Sequence, residues 1–409
     1  MLKNLITYRT SYTNLTVADI LREYWPEYKK RYKVSPEQAR VAGAVMACRT
    51  PALGGRVDQC GECGCWVFSF NSCRDRHCNQ CQKFERAKWV EKQKIWQLPI
   101  PYFHVIFTTD HAINELVREN QTVIYNHLFQ SAQKSLQQQA KEELGCQLGI
   151  TAVLHTWGQK LDEHIHVHCI VSGGGLALAG SSWRSSGLKY LVDVKALSVK
   201  YRDKFCEGLK RLLRRGKLKL KAGQRVETVE AMLASIQAKK WEVFAKPFGE
   251  PKHVIEYLSR YVHQVAISNY RLEGLAEGVV RVKYHDNQAE GEEKVLRLPV
   301  LEFMRRWLLH ILPAGFMRIR YYGLHHSSAR KEKLPECRAH FGLSRALPVI
   351  KELVLLEWLQ ELLGDEANAC PRCGAQRSMF LRREFDELPW LVALLLSLIG
   401  QPTGKGVRP

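Results

Sequence analysis

The stretch Leu161–Gly175 reads LDEHIHVHCIVSGGG, in which histidines recur at every second position. His164, His166 and His168 alternate with apolar residues, so in a strand the three imidazoles share one face while the apolar residues face a core. A strand rises about 3.3 Å per residue, which puts successive histidines about 6.6 Å apart, whereas the outer two are about 13 Å apart and cannot share an ion. The stretch therefore predicts a half-buried strand on which two histidines bind a metal ion and a further ligand comes from elsewhere.

A second strand is the expected source of that ligand. The segment 150–157 reads ITAVLHTW and predicts a strand, and GQKLDE after it predicts a turn. An antiparallel hairpin whose turn centres near residues 160 and 161 places His155 beside His166, which makes His155 the leading third ligand. His104, on a predicted strand over 100–110, is interpreted first as a core residue. The alternatives that stay open are Gln159, His164 and His104.

The N-terminal region carries cysteines with the spacing of metal ligands. Cys60-x-x-Cys63 and Cys78-x-x-Cys81 are separated by 14 residues. Four thiolates in a tetrahedron suit Zn²⁺ and leave no open position, so we predict one structural zinc ion bound by these four residues. The same segment also contains residues that allow a ligand exchange or a second ion, namely Cys65, Cys73 and His77.

A partial knuckle occurs near the other end of the sequence. Cys370 and Cys373 have the same spacing, but the sequence does not identify their partners. Cys337 and His340 are the candidates. With 13 cysteines in total, an odd number, a disulfide framework is not expected.

The charge predicts a polyanionic partner. The 409 residues carry a formal net charge of +20, which favours nucleic acid. The run 210–225, KRLLRRGKLKLKAGQR, holds eight Lys or Arg residues and no acid, and we interpret it as a track for the DNA backbone. The candidate DNA contacts are Arg74, Arg76, Lys210, Arg211, Arg214, Arg215, Lys217, Lys219 and Lys221.

A pair of tyrosines follows downstream. In HVIEYLSRYVHQVAISN, Tyr257 and Tyr261 are four residues apart and share one face of a predicted helix. A His-hydrophobic-His strand followed by a helical tyrosine resembles the HUH single-strand nucleases. Together with the cysteine-rich segment and the block VLHTWGQKLDEHIHVHCIVSGGG, it resembles the rolling-circle transposases of the insertion sequence 91 family, from about residue 20 to about residue 345.

The resemblance implies an α+β fold in three domains. Residues 1–95 are expected to form a helical and zinc-binding domain. Residues 96–270 are expected to form an HUH nuclease core, an antiparallel sheet of the split βαβ type with helices on one face. Residues 271–409 are expected to form a basic C-terminal region, with the partial zinc knuckle.

The resemblance also implies the chemistry. A tyrosine attacks single-stranded DNA at element ends and at a target site, leaves a 5′-phosphotyrosine, and is assisted by Mg²⁺ or Mn²⁺ at the histidines. Single-tyrosine relatives point to Tyr261 as the primary nucleophile and Tyr257 as a possible second. The alternatives are a plasmid or phage rolling-circle replication initiator or relaxase, and a non-catalytic zinc-containing protein that binds nucleic acid.

Some classes of protein are disfavoured. There is no GxxxxGK[ST] loop, so no nucleotide cofactor is expected. The longest apolar run, Leu388–Ile399, is shorter than the roughly 20 residues of a membrane-spanning helix, and no signal peptide is visible. We therefore expect a cytoplasmic protein without a membrane partner, and the resemblance implies that it is bacterial and associated with the nucleoid; the oligomeric state and the recognised DNA sequences stay open.

Overall fold

The computed structural model describes residues 6–8, 15–179, 182–248, 254, 266–286, 291–347, 369–370, 372–375 and 380–385. Its strands are β1 (Ile6–Tyr8), β2 (Gly55–Cys60), β3 (Trp66–Phe70), β4 (Tyr102–Thr108), β5 (Cys146–Trp157), β6 (Glu163–Ala177), β7 (Trp183–Ser185), β8 (Val243–Pro247), β9 (Leu272–Ala276), β10 (Val279–Asp286), β11 (Glu292–Pro299), β12 (Ile319–Gly323) and β13 (Phe380–Phe385). Its helices are α1 (Val17–Arg31), α2 (Pro36–Ala47), α3 (Gln82–Trp96), α4 (Asn114–Glu119), α5 (Gln121–Leu144), α6 (Val194–Arg214), α7 (Val226–Ala238), α8 (Val300–Leu309), α9 (Ser327–Glu332) and α10 (Leu334–His340). Within these ranges no helix has the length and apolar character needed to cross a bilayer.

The central sheet has six strands in the order β12-β5-β6-β4-β8, with β7 paired to β6. Every neighbouring pair is antiparallel. Since β4 and β5 both run antiparallel to β6, they are parallel to each other, and α5 connects them across the sheet. A βαβ unit with another strand between its two strands is the split βαβ arrangement, as predicted.

The two faces of this sheet have different roles. One face carries apolar residues such as Val105, Leu154 and Val167, and these pack against α5 and α6 in the largest buried cluster. Alternation along the strands sends His104, His166 and their neighbours to the opposite face. The helices α5 and α6 therefore cover one face, while the opposite face carries the histidines and packs elsewhere against α3 and α10.

Two smaller sheets surround the central one. The first has the order β1-β3-β2-β13, and the second has the order β11-β10-β9. The helices α1 and α2 pack with α8 and β10 in a second core, and α2 begins with a cap in which the Ser35 side chain accepts a hydrogen bond from the Gln38 amide.

The strands after residue 270 are shared among all three sheets. β12 lies at the edge of the central sheet, β13 pairs with β2 of the N-terminal sheet, and β9–β11 form the third. The predicted boundary at residue 270 therefore does not separate one set of strands from another. The sequence spacing could not show this, because strand pairing between distant segments leaves no local signal.

Candidate active site and metal centres

Three buried histidines converge on the face of the β5–β6 hairpin that is opposite α5 and α6. His155 pairs directly with His166, and the ligand nitrogens of His155, His166 and His168 all lie within 4.8 Å of one another. The hairpin reverses where it was predicted to, because the Gly158 amide donates to the Asp162 carbonyl at 2.9 Å and Leu161 adopts a positive φ of 57°. The predicted register of His155 against His166 is confirmed.

The remaining candidates for the third ligand lie outside this cluster. The His164 ring is 4.8 Å from that of His166 and 5.3 Å from that of His111, at the solvent end of the strand. The Gln159 carbonyl accepts a hydrogen bond from Arg271. His155 is thus the residue that the fold brings to the two strand histidines.

His104 lies directly behind the cluster on β4. Its Nε2 is 2.7 Å from Nδ1 of His168, and the two rings stack with centroids 5.0 Å apart. Nδ1 of His166 donates to the His164 carbonyl at 2.8 Å. These contacts hold Nδ1 of His166 and Nδ1 of His168, so Nε2 of each ring points toward the cluster. A hydrogen bond to one ring nitrogen orients metal-binding imidazoles in the same way.

Burial keeps the imidazoles uncharged. Desolvation lowers the pKa of His166 to about 3 and that of His104 to about 4. The pKa of His168 is well below its usual value, because burial and the neighbouring imidazoles both oppose protonation. Neutral rings offer the lone pairs that bind a divalent cation, and they leave its positive charge available to a phosphate.

Four cysteines meet between α2 and α3. The sulfurs of Cys48, Cys73, Cys78 and Cys81 lie within 4.8 Å of one another, and the Cys48 and Cys73 sulfurs are 3.2 and 3.6 Å from that of Cys81. Cys48 caps the end of α2 and Cys81 caps the start of α3, so the two helices hold opposite sides of the cluster. We call this set the helix cluster.

The other predicted zinc ligands belong to a different set. Cys60 and Cys63 meet Cys370 and Cys373 at the tip of the β2–β3 hairpin, and we call these four the hairpin cluster. The predicted grouping of residues 60, 63, 78 and 81 around one ion is therefore corrected, because β2 carries its knuckle away from α3. Of the two ligands of the helix cluster that were not predicted, Cys73 was considered only for a ligand exchange or a second ion. Cys48 has no other cysteine close to it in the sequence, so its spacing gave no indication of a metal site. Cys337, a predicted partner of Cys370, is instead buried in an apolar cluster beside Leu334.

Arg76 is used inside the fold. Its guanidinium donates to the backbone carbonyls of Pro313 at 2.7 Å, Leu312 at 3.4 Å and Phe316. The predicted DNA contact at Arg76 is corrected, because its guanidinium N–H groups already donate to backbone carbonyls of the segment that leads into β12. Arg74, two residues earlier, is exposed and stays a predicted contact.

Replacing Arg76 by Met should destabilise the protein by about 3 kcal/mol, because buried carbonyls lose a charged donor. The free energy of unfolding in denaturant measures this. The matched control Arg74→Met should leave stability unchanged and should reduce the salt dependence of DNA binding by about one ion. Equal stability of the two variants would contradict the structural role of Arg76.

The basic run after residue 210 lies on the helical side of the sheet. It continues from the end of α6, which packs on the face opposite the histidines. Lys210, Arg214 and Lys221 form ion pairs with Glu207, Glu230 and Glu115. Arg211, Arg215, Lys217 and Lys219 are exposed. The run stays a predicted DNA-binding surface, but the fold does not bring it to the histidine face.

Two residues of β8 that lie beside the histidines were not predicted from the sequence. Phe244 is 52% exposed and its ring meets the edge of His104 at 6.2 Å. Lys246 is exposed and pairs with His104 across the strands, so it shares the histidine face. In the sequence, only the alternation of residue types in VFAKP points to this strand. Five residues are too few to show which face of the sheet each side chain occupies.

Tyr257 and Tyr261 lie outside the described residues. The described residues on either side of them are close to the histidines. Phe248 stacks on His104 with ring centroids 5.3 Å apart, and Ala266 lines a small cavity with Trp157, whose ring stacks on His155.

Comparison with known proteins gives consistent matches along most of the chain. Residues 149–333 match a family model described as "Putative transposase", and residues 20–109 match the "Transposase zinc-binding domain" of insertion sequence 91 transposases. The "Putative transposase y4qJ" of Sinorhizobium fredii is 40% identical over 367 residues, which cover 87% of this chain and 92% of that protein. The "Transposase for insertion sequence element IS801" of Pseudomonas savastanoi pv. phaseolicola is 25% identical over 338 residues, which cover 81% of this chain and 80% of the relative. No solved structure matches.

Proposed function

The chain belongs to the transposases of the insertion sequence 91 family, and on that premise we propose that it cleaves and rejoins single-stranded DNA ends through a covalent tyrosine intermediate. The N-terminal zinc-binding domain and the action on DNA are properties of the family. The nuclease type, the single-stranded substrate and the residues that perform the reaction are the proposal. The observation that supports it most directly is the cluster of His155, His166 and His168.

The histidine cluster fits a divalent ion. The three clustered imidazoles would bind such an ion, and phosphate oxygens and water would complete its coordination. Imidazole nitrogens bind Mn²⁺ more readily than Mg²⁺, which prefers oxygen ligands. Of the two ions, Mn²⁺ is therefore the expected cofactor. When bound, the ion would neutralise charge on the scissile phosphate. The chain's own contribution is the rigid placement of these rings by the hairpin and by His104.

The nucleophile is proposed to be Tyr261, with Tyr257 as a second. Its hydroxyl attacks the phosphorus, the bond to the 3′ oxygen breaks, and the products are a 5′-phosphotyrosine and a free 3′-OH. The phosphodiester energy is kept in the new bond, so rejoining needs no nucleotide hydrolysis. The contact of Phe248 with His104, and the cavity that Ala266 lines with Trp157, support this, because His104 and Trp157 each contact a histidine of the cluster.

The edge of the sheet offers a place for unpaired DNA. Phe244 presents an exposed ring for base stacking, and Lys246 on the same face is available to a phosphate. Both lie next to His104, so a strand bound there passes the histidine cluster. This surface, rather than the run after residue 210, is proposed to guide DNA to the reaction.

Replacing Phe244 by Ala should weaken binding of single-stranded DNA by about 1 to 3 kcal/mol, the contribution of one stacked base. Fluorescence anisotropy with a labelled oligonucleotide measures the dissociation constant. Tyr190→Ala is the matched control, since Tyr190 is 54% exposed but bonds Glu143 on the helical side. If both variants bind like the unaltered protein, the β8 edge is not the DNA surface.

The proposed reaction is tested by incubating the protein with labelled single-stranded element ends and Mn²⁺. We expect a protein–DNA adduct that survives denaturation and that disappears with a chelator or with duplex DNA. A cut strand without an adduct would reject the tyrosine mechanism. DNA binding without any cutting would favour the non-catalytic alternative, and an adduct without joining to a new target would favour a replication initiator or relaxase.

A further inference from the structure

The two arms of the hairpin cluster have the same backbone geometry. The Cys60 amide donates to the Cys65 carbonyl at 2.9 Å, and the Gly64 amide donates back to the Cys60 carbonyl at 2.9 Å. In the second arm, the Cys370 amide donates to the Ala375 carbonyl at 2.7 Å, and the Gly374 amide donates back to the Cys370 carbonyl at 2.9 Å.

Each arm ends on a glycine with a positive φ. The angle is 66° at Gly64 and 75° at Gly374, and this left-handed conformation is the one that glycine adopts without strain. Two segments that share no neighbouring sequence thus form the same Cys-x-x-Cys-Gly loop. Both loops therefore present their two cysteines in the same way, as two arms that share one ion would.

The sulfur positions suit that ion. Cys60 is 3.7 Å from Cys373 and Cys63 is 3.7 Å from Cys370, measured between Sγ atoms. A tetrahedron with Zn–S bonds of about 2.3 Å has sulfur–sulfur edges of about 3.8 Å. A disulfide needs about 2.05 Å, so these thiols are not bonded to each other.

The surrounding strands hold the arms together from the other side. β13 pairs antiparallel with β2, from Phe380 opposite Cys60 to Phe385 opposite Gly55. The ligands Cys63 and Cys370 are 307 positions apart, so the cluster joins the two ends of a very long loop. The matched zinc-binding domain, residues 20–109, contains only two of the four ligands.

We propose that Cys60, Cys63, Cys370 and Cys373 bind a second structural zinc ion, which fastens the segment 369–385 to the N-terminal sheet. The helix cluster binds the first ion within the zinc-binding domain itself. The second ion completes that domain with residues from outside its matched range and closes a loop that contains every strand of the central sheet.

The zinc content of the full chain tests this proposal by native mass spectrometry and elemental analysis. All proteins carry His166→Ala, so that an ion in the histidine cluster does not enter the count. The parent protein, which carries only His166→Ala, should hold two zinc ions. Adding both Cys370→Ser and Cys373→Ser should reduce the content to one zinc ion. The matched control Cys337→Ser, which changes a cysteine outside both clusters, should keep two. A parent with one zinc, an unchanged count in the double variant, or iron in place of zinc would overturn the proposal.

A second measurement needs no cysteine variant. X-ray absorption at the zinc edge of the parent should give four sulfur neighbours at about 2.3 Å and no nitrogen or oxygen neighbour. Hydrogen exchange adds a structural readout, because amides of residues 380–385 should exchange slowly in the parent and rapidly after zinc is removed. A mixed sulfur and nitrogen shell would refute the assignment even if the double variant failed to fold.

Discussion

Tyr261→Phe should abolish the covalent protein–DNA adduct. The change removes the attacking oxygen and keeps the ring, so packing is preserved while the nucleophile is lost. The measurement is adduct formation on a labelled single-stranded element end in the presence of Mn²⁺, resolved on a denaturing gel. We expect no detectable adduct, with DNA affinity and the thermal unfolding midpoint unchanged.

Tyr257→Phe is the matched control. It should retain cleavage of the first strand, and it should lose later strand transfer only if the protein uses both tyrosines in turn. A normal adduct from Tyr261→Phe together with none from Tyr257→Phe would reverse the assignment. A normal adduct from the double variant would remove tyrosine catalysis altogether.

His166→Ala and His168→Ala should each reduce strand cleavage to background, at least a thousandfold. Each change removes one of three clustered nitrogens, and an ion held by the remaining two is bound weakly and in the wrong position. Binding of single-stranded DNA should remain within a few-fold of the unaltered protein, because contacts between phosphates and exposed Lys and Arg residues, which the change does not touch, supply most of the affinity. Cleavage rates and anisotropy on the same preparations separate the two effects.

His164→Ala provides a matched control on the same strand. His164 is two residues from His166 but stands outside the cluster, so its removal should leave most of the cleavage activity and the Mn²⁺ dependence intact. If His164→Ala were as damaging as His166→Ala, the ion would lie farther toward the solvent end of β6. Near-normal cutting by His168→Ala would place the metal site elsewhere.

The sequence predicted the central hairpin well because its information is local. Alternation of histidine with apolar residues fixes the face, and a short turn fixes the register, so the sequence alone suffices to place His155 against His166. The role of His104 was less accessible. Its contact with His168 depends on β4 lying beside β6, and a pairing between distant strands cannot be read from either strand alone.

The cysteines show the limit of the same approach. Spacing correctly identified each Cys-x-x-Cys pair as a unit, but it assigned the first two pairs to one another because they are neighbours in sequence. The structure pairs Cys60 with a residue more than three hundred positions away, and it completes the other set with Cys48 from the end of α2. The prediction of a DNA contact at Arg76 was wrong for a related reason. The sequence does not distinguish an arginine that donates to phosphate from one that donates to backbone carbonyls.

The pairing of β2 with β13 can form only late in synthesis of the chain. β2 is made early, whereas its partner is made after roughly 300 further residues, which at about 5 to 20 residues per second takes about 15 to 60 seconds. During that interval β2 is an unprotected sheet edge, the kind that joins other chains. A nascent chain that stops before β13 never covers this edge, so incomplete copies of the protein are the ones expected to aggregate or be degraded.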